Sequence, residues 1–205
     1  MKNKGYLLIS LGTVLVFTAA IMLFYNYRLE NEAQIAADEI VPKLLQQIDQ
    51  NDENITQEPV LDNPTTSDTS VIQVTPPGEI EMEKYEYIGV LTIPSLQLKL
   101  PILATYHYSD MKIAPCRYAG DIQGNLVIAA HNYKAHFGRI YRLSKGEPIS
   151  FTDTKGVITR YKVELIEELK DSDEDKMVNK KWDLTLFTCN YMGDKRITVR
   201  CKKVE

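Results

Sequence analysis

Apolar and polar positions follow three different rhythms along this chain. Residues 6–25, Tyr6 to Tyr25, hold no charged side chain. A helix of roughly 20 such residues reaches about 30 Å, the depth of one bilayer core. In residues 29–50 the apolar positions Ile35, Ile40, Leu44, Leu45 and Ile48 recur at threes and fours. That spacing predicts a juxtamembrane helix, which Pro42 would kink or restart. Residues 51–80 are mostly Asn, Asp, Thr, Ser and Pro, too poor in large apolar groups to offset ordering entropy, and they read as a flexible stalk. From residue 86 the texture changes to short β-branched runs. Strands are predicted at Tyr87–Ile93, Leu96–Ile102, Asn125–Ala130, Pro148–Thr152, Val157–Leu169, Leu184–Cys189 and Arg196–Lys202, and a short helix at Tyr133–Leu143. Pro101 suggests an edge or bulge in the second strand. The expectation is a mainly β domain, a closed or nearly closed barrel of about eight short strands with one or two small helices. The predicted organisation is an N-terminal transmembrane signal anchor (1–28), a juxtamembrane helix and acidic stalk (29–80), and a β-barrel domain (81–205).

Charge sharpens these boundaries. Residues 30–85 carry thirteen Asp/Glu against two Lys/Arg, whereas residues 86–205 carry fifteen against nineteen. The acidic stretch therefore ends where the β rhythm begins. The basic excess of the second part is small and scattered, and no nucleic-acid-binding motif accompanies it. Lys2 and Lys4 precede the uncharged run, and Tyr6, Tyr25 and Tyr27 flank it like interfacial anchors. This predicts a cytoplasmic N-terminus with the remaining chain outside a single-pass membrane. Tyr25-Asn26-Tyr27-Arg28 makes a poor cleavage site for a signal peptide, so the anchor is expected to stay.

The candidate chemistry centres on sulfur. Three cysteines, Cys116, Cys189 and Cys201, are too few and too odd in number for a disulfide framework, and no C-x-x-C or neighbouring His suggests zinc. Cys189 ends a buried-type strand just before the turn Asn190–Asp194, a place suited to a cleft. His131 ends another apolar strand in the same manner. A thiol nucleophile needs such an imidazole to take its proton and return it to a leaving amine. Arg196 opens the next strand, across the turn from Cys189, where a guanidinium could stabilise an oxyanion or hold a substrate backbone. Arg200, four residues on and on the same face, competes for that role. The residues alone support cysteine acyl transfer.

Several segments together resemble the sortases, cysteine transpeptidases of Gram-positive bacteria. Leu186-Phe187-Thr188-Cys189 is similar to the family's TLxTC strand, and Arg196-Ile197-Thr198-Val199 to its R-x-x-V strand. Asn125–Asn132 resembles the strand that ends in the family's His, with Ala130 where Gly is common. Gly89–Pro94 and Leu98–Pro101 resemble the opening strand pair, and Phe137-Gly138 with Leu143 the short helix after the His. The resemblance spans residues 87–203. It implies an eight-stranded barrel that cleaves an LPxTG-like sorting signal on surface proteins. A thioester forms on the Cys, and an amine of a cell-wall peptide or pilin then resolves it. It further implies Cys189 as nucleophile, His131 as general acid/base and Arg196 as oxyanion or positioning group. Thr188 would help line the oxyanion or substrate region, and Phe187 and Ala130 the apolar groove.

The resemblance also narrows the type. Pilin-polymerising members carry a C-terminal membrane segment and a lid, and class B members a long helix where residues 170–183 stand here; the pattern is closer to the housekeeping or class D-like types. No cofactor is required; Asp171–Asp175 lacks the alternating ligands and Gly of an EF-hand loop and reads first as a solvated acidic turn, with a Ca²⁺ site of the kind some housekeeping members use as the alternative. Cys116 and Cys201 are read as structural, His107 and His136 as surface residues, and Trp182 as a core or groove residue. L,D-transpeptidases place a small residue and Gly before their Cys, and papain-like hydrolases place Cys before His; neither fits. A catalytically silent sortase-like binding or scaffold module is the alternative from another class.

Overall fold

The uncharged run and the amphipathic segment after it form one helix, α1 (Lys2–Ile55). The computed structural model describes residues 2–55, 80–82 and 84–204, so residues 56–79 of the expected stalk fall outside the described residues, while its first residues, 51–55, continue α1 as helix. Val16, Phe17, Ile21 and Leu23 stand exposed on the first half of α1. This helix is long and apolar enough to cross a membrane. On the second half, Ala33, Ala37, Val41, Leu44 and Ile48 are buried. Their steps of three and four trace one stripe along the helix. The stripe differs from the expected one: Ile35 faces solvent, and small Ala33 and Ala37 let the helix approach the barrel closely. The helix also continues through Pro42 without restarting. Pro42 and Asp38 are both exposed, so the carbonyl that Pro42 cannot engage lies on the wet side, where water satisfies it.

The strands are β1 (Ile80–Met82), β2 (Tyr85–Ile93), β3 (Leu98–Leu103), β4 (Cys116–Asp121), β5 (Gly124–Ala129), β6 (Pro148–Asp153), β7 (Ile158–Lys170), β8 (Leu184–Cys189) and β9 (Lys195–Lys203), with a short helix α2 (Glu174–Met177) between β7 and β8. They lie in the order β1-β2-β3-β4-β5-β8-β9-β7-β6, and pairing of β2 with β6 closes β2–β9 into an eight-stranded barrel. β1 adds a short edge strand to β2. Closure leaves few edges open to other chains.

Alternation along each strand divides two apolar layers. Leu91, Ile93, Leu100, Ile102, Leu126, Ile128, Leu184, Leu186 and Val199 fill the interior. Val90, Leu103, Val127, Ala129 and Phe187 point outward and are covered, together with Val41, Leu44 and Ile48 of α1, by a second apolar layer that includes Met111 and Met177.

Two elements depart from the sequence pattern. β4 is not predicted because Arg117, Gly120 and Asp121 break its apolar alternation, and its pairing with β5 is irregular at two places. The helix expected at Tyr133–Leu143 is a set of turns with a single 3-10 turn at Ile140–Arg142. Gly138 explains this: its N–H donates to the Tyr133 carbonyl at 2.8 Å, and a Cβ there would stand 2.2 Å from the Asn132 carbonyl oxygen. The chain folds back too tightly for a regular helix.

Candidate active site

β5 and β8 run parallel, with Ala129 opposite Phe187. Two residues beyond that pair, the strands deliver His131 and Cys189. With a period of two, both extend from the outer face that Ala129 and Phe187 share, on neighbouring strands about 5 Å apart. The strand ends are tied just before the site. The Ala130 N–H donates to the Phe187 carbonyl at 3.2 Å, and the Thr188 hydroxyl donates to the Ala130 carbonyl at 2.8 Å.

β9 brings in the arginine. Arg196 is the register partner of Cys189 across the antiparallel β8–β9 pair. The connecting turn is fixed by the Asn190 N–H to the Lys195 carbonyl at 2.9 Å and by the Asn190 side-chain amide to Asp194 at 2.8 Å. Gly193 takes the left-handed φ of 77° that closes it. The Arg196 guanidinium forms an ion pair with Asp171 and donates to the Gly193 carbonyl at 3.3 Å.

His131 is half-buried between two tyrosines. Tyr108 meets it edge-on at 5.2 Å between ring centroids, and Tyr133 lies tilted against it at 4.9 Å. Burial pushes the imidazole below its ordinary range, which favours a neutral ring able to accept a proton at neutral pH. Tyr106 stands in the same neighbourhood. Burial raises its phenol, with Cys116, Tyr108 and Cys189 adding and Arg196 opposing.

The segment between β7 and β8 closes one side. Glu174 of α2 accepts a hydrogen bond from Tyr118. Tyr118 in turn meets Phe187 edge-on at 5.1 Å and Tyr106 at the same separation. Burial, then the Glu174 carboxylate, pushes the Tyr118 phenol up to about 12. Arg200 holds this segment from below. It is buried and donates to Glu167 at 2.9 Å, to the Met177 carbonyl at 2.9 Å, to the Thr185 hydroxyl at 3.1 Å and to the Lys176 carbonyl at 2.6 Å. The two arginines on one face thus do different things: Arg200 is a buried clamp, and Arg196 reaches the site.

The softer candidates lie close by. Phe187 is buried beneath Tyr118, Ala130 packs in the barrel interior, and Thr188 is buried and donates to the Ala130 carbonyl. His136, expected at the surface, is fully buried. It packs on Tyr133 at 5.7 Å. Neither of its ring nitrogens has a hydrogen-bond partner. Burial first, then His131, lowers it to about 4, although the nearby Ile113 backbone pulls the other way without forming a well-aligned bond. His107 is exposed, as expected. Trp182 is half-buried at the start of β8, the end away from Cys189. In residues 171–175 Asp171 turns to Arg196, Asp173 to Lys176 at 3.2 Å and Glu174 to Tyr118. Among the described residues, no cluster of three such side chains suits a metal.

Sequence reasoning missed Tyr106, Tyr108, Tyr118 and Tyr133, and it singled out Asp171 and Glu174 only within a cation loop, without their partners Arg196 and Tyr118. The chain has twelve tyrosines, and only the folded chain selects these four.

The model of the Sortase domain matches residues 91–204. This chain belongs to the sortase family. The sortase fold recurs in solved structures at low identity. Sortase A from Corynebacterium diphtheriae is similar at 19% identity with a TM-score of 0.56, over 92% of this chain and 96% of that one. A sortase D5 transpeptidase from Clostridium perfringens is similar at 17% identity and TM-score 0.57, over 85% and 99%. Sortase C from Clostridium perfringens is similar at 21% identity and TM-score 0.50, over 91% and 99%. No curated protein matches this sequence. Sortases named A, C and D fit the same barrel, so the fold identifies the family and not the type.

Proposed function

We propose that this sortase is anchored in the cell membrane by the first half of α1, N-terminus inside and barrel outside, and that it cleaves an LPxTG-like sorting signal. The observation that carries the reading is the register: Cys189 faces Arg196 on one side and lies on the strand next to His131 on the other.

Neutral His131 takes the proton of the Cys189 thiol. The sulfur attacks the threonyl carbonyl carbon, and the charge gathering on its oxygen faces the Arg196 guanidinium. As the intermediate collapses, the C–N bond breaks and His131 returns the proton to the leaving glycyl amine. A thioester remains on Cys189. An amine of a cell-wall peptide or pilin then attacks it and loses a proton to His131, and the new amide leaves as the thiol reforms. The four-residue α2 between β7 and β8, where class B members carry a long helix, favours a housekeeping or class D-like type. Confining enzyme and surface-protein substrate to one membrane raises their effective concentration.

Incubating the full chain with quenched LPxTG-like peptides and triglycine tests the reading. The expected result is peptide release, triglycine ligation and a thioester mass adduct on Cys189, all absent from Cys189→Ala. If no peptide of the panel is cleaved or bound covalently, with or without Ca²⁺, the transpeptidase reading fails and a silent sortase-like scaffold takes its place.

A further inference from the structure

Which way the barrel points follows from where α1 touches it. Near the start of the docked stretch, Tyr25 and Glu30 are within electrostatic reach of the Tyr133 phenol, whose ring lies on His131 at 4.9 Å. Near its end, Ile48 lies 3.6 Å from the position of a Cβ on Gly156, in the β6–β7 turn. That turn shares a cavity with Asp121–Gln123, which lead into β5. It therefore belongs to the end of the barrel where β5 begins, whereas His131 belongs to the end where β5 finishes. Between residues 30 and 48 a helix rises about 27 Å. α1 thus passes along the barrel from its Cys189–His131 end to its opposite end, and the apolar run leaves from the Cys189–His131 end.

No slack separates the two parts. Tyr25 and Tyr27 are exposed, Leu29 and Glu30 are half-buried and Ala33 is buried. Docking begins within about one turn of the end of the apolar run, on the same unbroken helix. A second observation points the same way. The turn after Cys189 presents Tyr191 and Met192, 95% and 87% exposed, and Tyr108 beside His131 is 68% exposed. Tyr191 and Met192 are neighbours on that turn, more exposed than Val157 and Ile158 at the far end, 57% and 50%, and tyrosine is favoured at a membrane–water boundary.

We propose that the end of the barrel carrying Cys189 and His131 faces the bilayer surface, with Tyr191 and Met192 among the lipid headgroups. α1 is then a strut that sets the height and aim of the site, and the peptide it takes is one emerging from the membrane surface. This rests on the reading of Cys189 and His131 as the reactive centre and of α1 as the anchor. The test measures depth and not turnover, so the two ideas fail separately.

The full chain, as Cys189→Ala with one added cysteine at an exposed site, either Lys134→Cys or Lys155→Cys, is labelled with a small fluorophore. It is then reconstituted into vesicles of phosphatidylcholine and phosphatidylglycerol containing a headgroup-linked nitroxide lipid. The label at residue 134, next to Tyr133, is expected to be quenched several-fold more than the label at residue 155, next to Gly156. Adding Tyr191→Ser and Met192→Ser to the first variant should reduce that quenching. Equal quenching at the two sites or stronger quenching at residue 155 would overturn the proposal, whereas failure of the chain to enter vesicles would overturn the anchor reading beneath it.

Discussion

Asp171 and Arg196 form an ion pair beside Cys189. Asp171 is 65% exposed and the Arg196 side chain 18%. The pair therefore contributes little to stability, since exposed ion pairs are worth about 0–1 kcal/mol, but it determines where the guanidinium points. Asp171→Ala should leave the melting temperature nearly unchanged and slow transpeptidation about tenfold, the effect of misplacing one charge-assisted hydrogen bond. Peptide kinetics paired with a thermal melt check this. An unchanged rate would mean that Arg196 finds its position without Asp171.

Arg196 and Arg200 should separate cleanly. With Arg196 in the oxyanion role proposed for it, Arg196→Ala should lower kcat roughly a hundredfold or more while the fold persists. Arg200→Met leaves Glu167 and the Lys176 and Met177 carbonyls without their buried partner. Leaving the two carbonyls unpaired costs about 1–3 kcal/mol, which urea denaturation would read directly. A destabilised Arg196 variant beside a stable Arg200 variant would reverse the assignment.

His136 makes the barrel acid-sensitive. Its folded value of about 4 lies below the ordinary 6.5, so the unfolded chain binds the proton first. The contribution to stability is complete above pH 6.5 and is lost as the pH falls from 6.5 towards 4. A shift of that size corresponds to roughly 3 kcal/mol. His131 is displaced in the same direction by the same cause. His136→Leu should flatten denaturation midpoints between pH 7 and 4.5. It should also be no less stable at pH 7, because it removes two buried nitrogens that lack partners. An unaltered pH slope would place the acid sensitivity elsewhere.

The strands that lead to Cys189 and His131 were legible because period-two patterning and strand-end position are local properties: Leu184–Cys189 and Asn125–Ala130 are read nearly to the residue. β4 was hidden because its partners, and not its own pattern, make it a strand. The α1 stripe was misread because the barrel accepts Ala33 and Ala37 where large residues were expected. Tyr106, Tyr108 and Tyr133 come from loops and Tyr118 from β4, segments separated in sequence, and their convergence is a tertiary fact. Arg196 and Arg200 looked equivalent on one face until the segment between β7 and β8 covered Arg200 alone.

Cys116 and Cys201 are buried, and burial pushes both thiols up to about 12. At pH 8 only about one part in ten thousand of each is thiolate, the form that reacts with electrophiles. Cys189 is half-buried, at the edge of the barrel. In its native state the protein should therefore count as a monothiol. An alkylating reagent should add one mass increment, at Cys189, and three only after denaturation, so that a single modified sulfur doubles as a titration of folded, competent molecules.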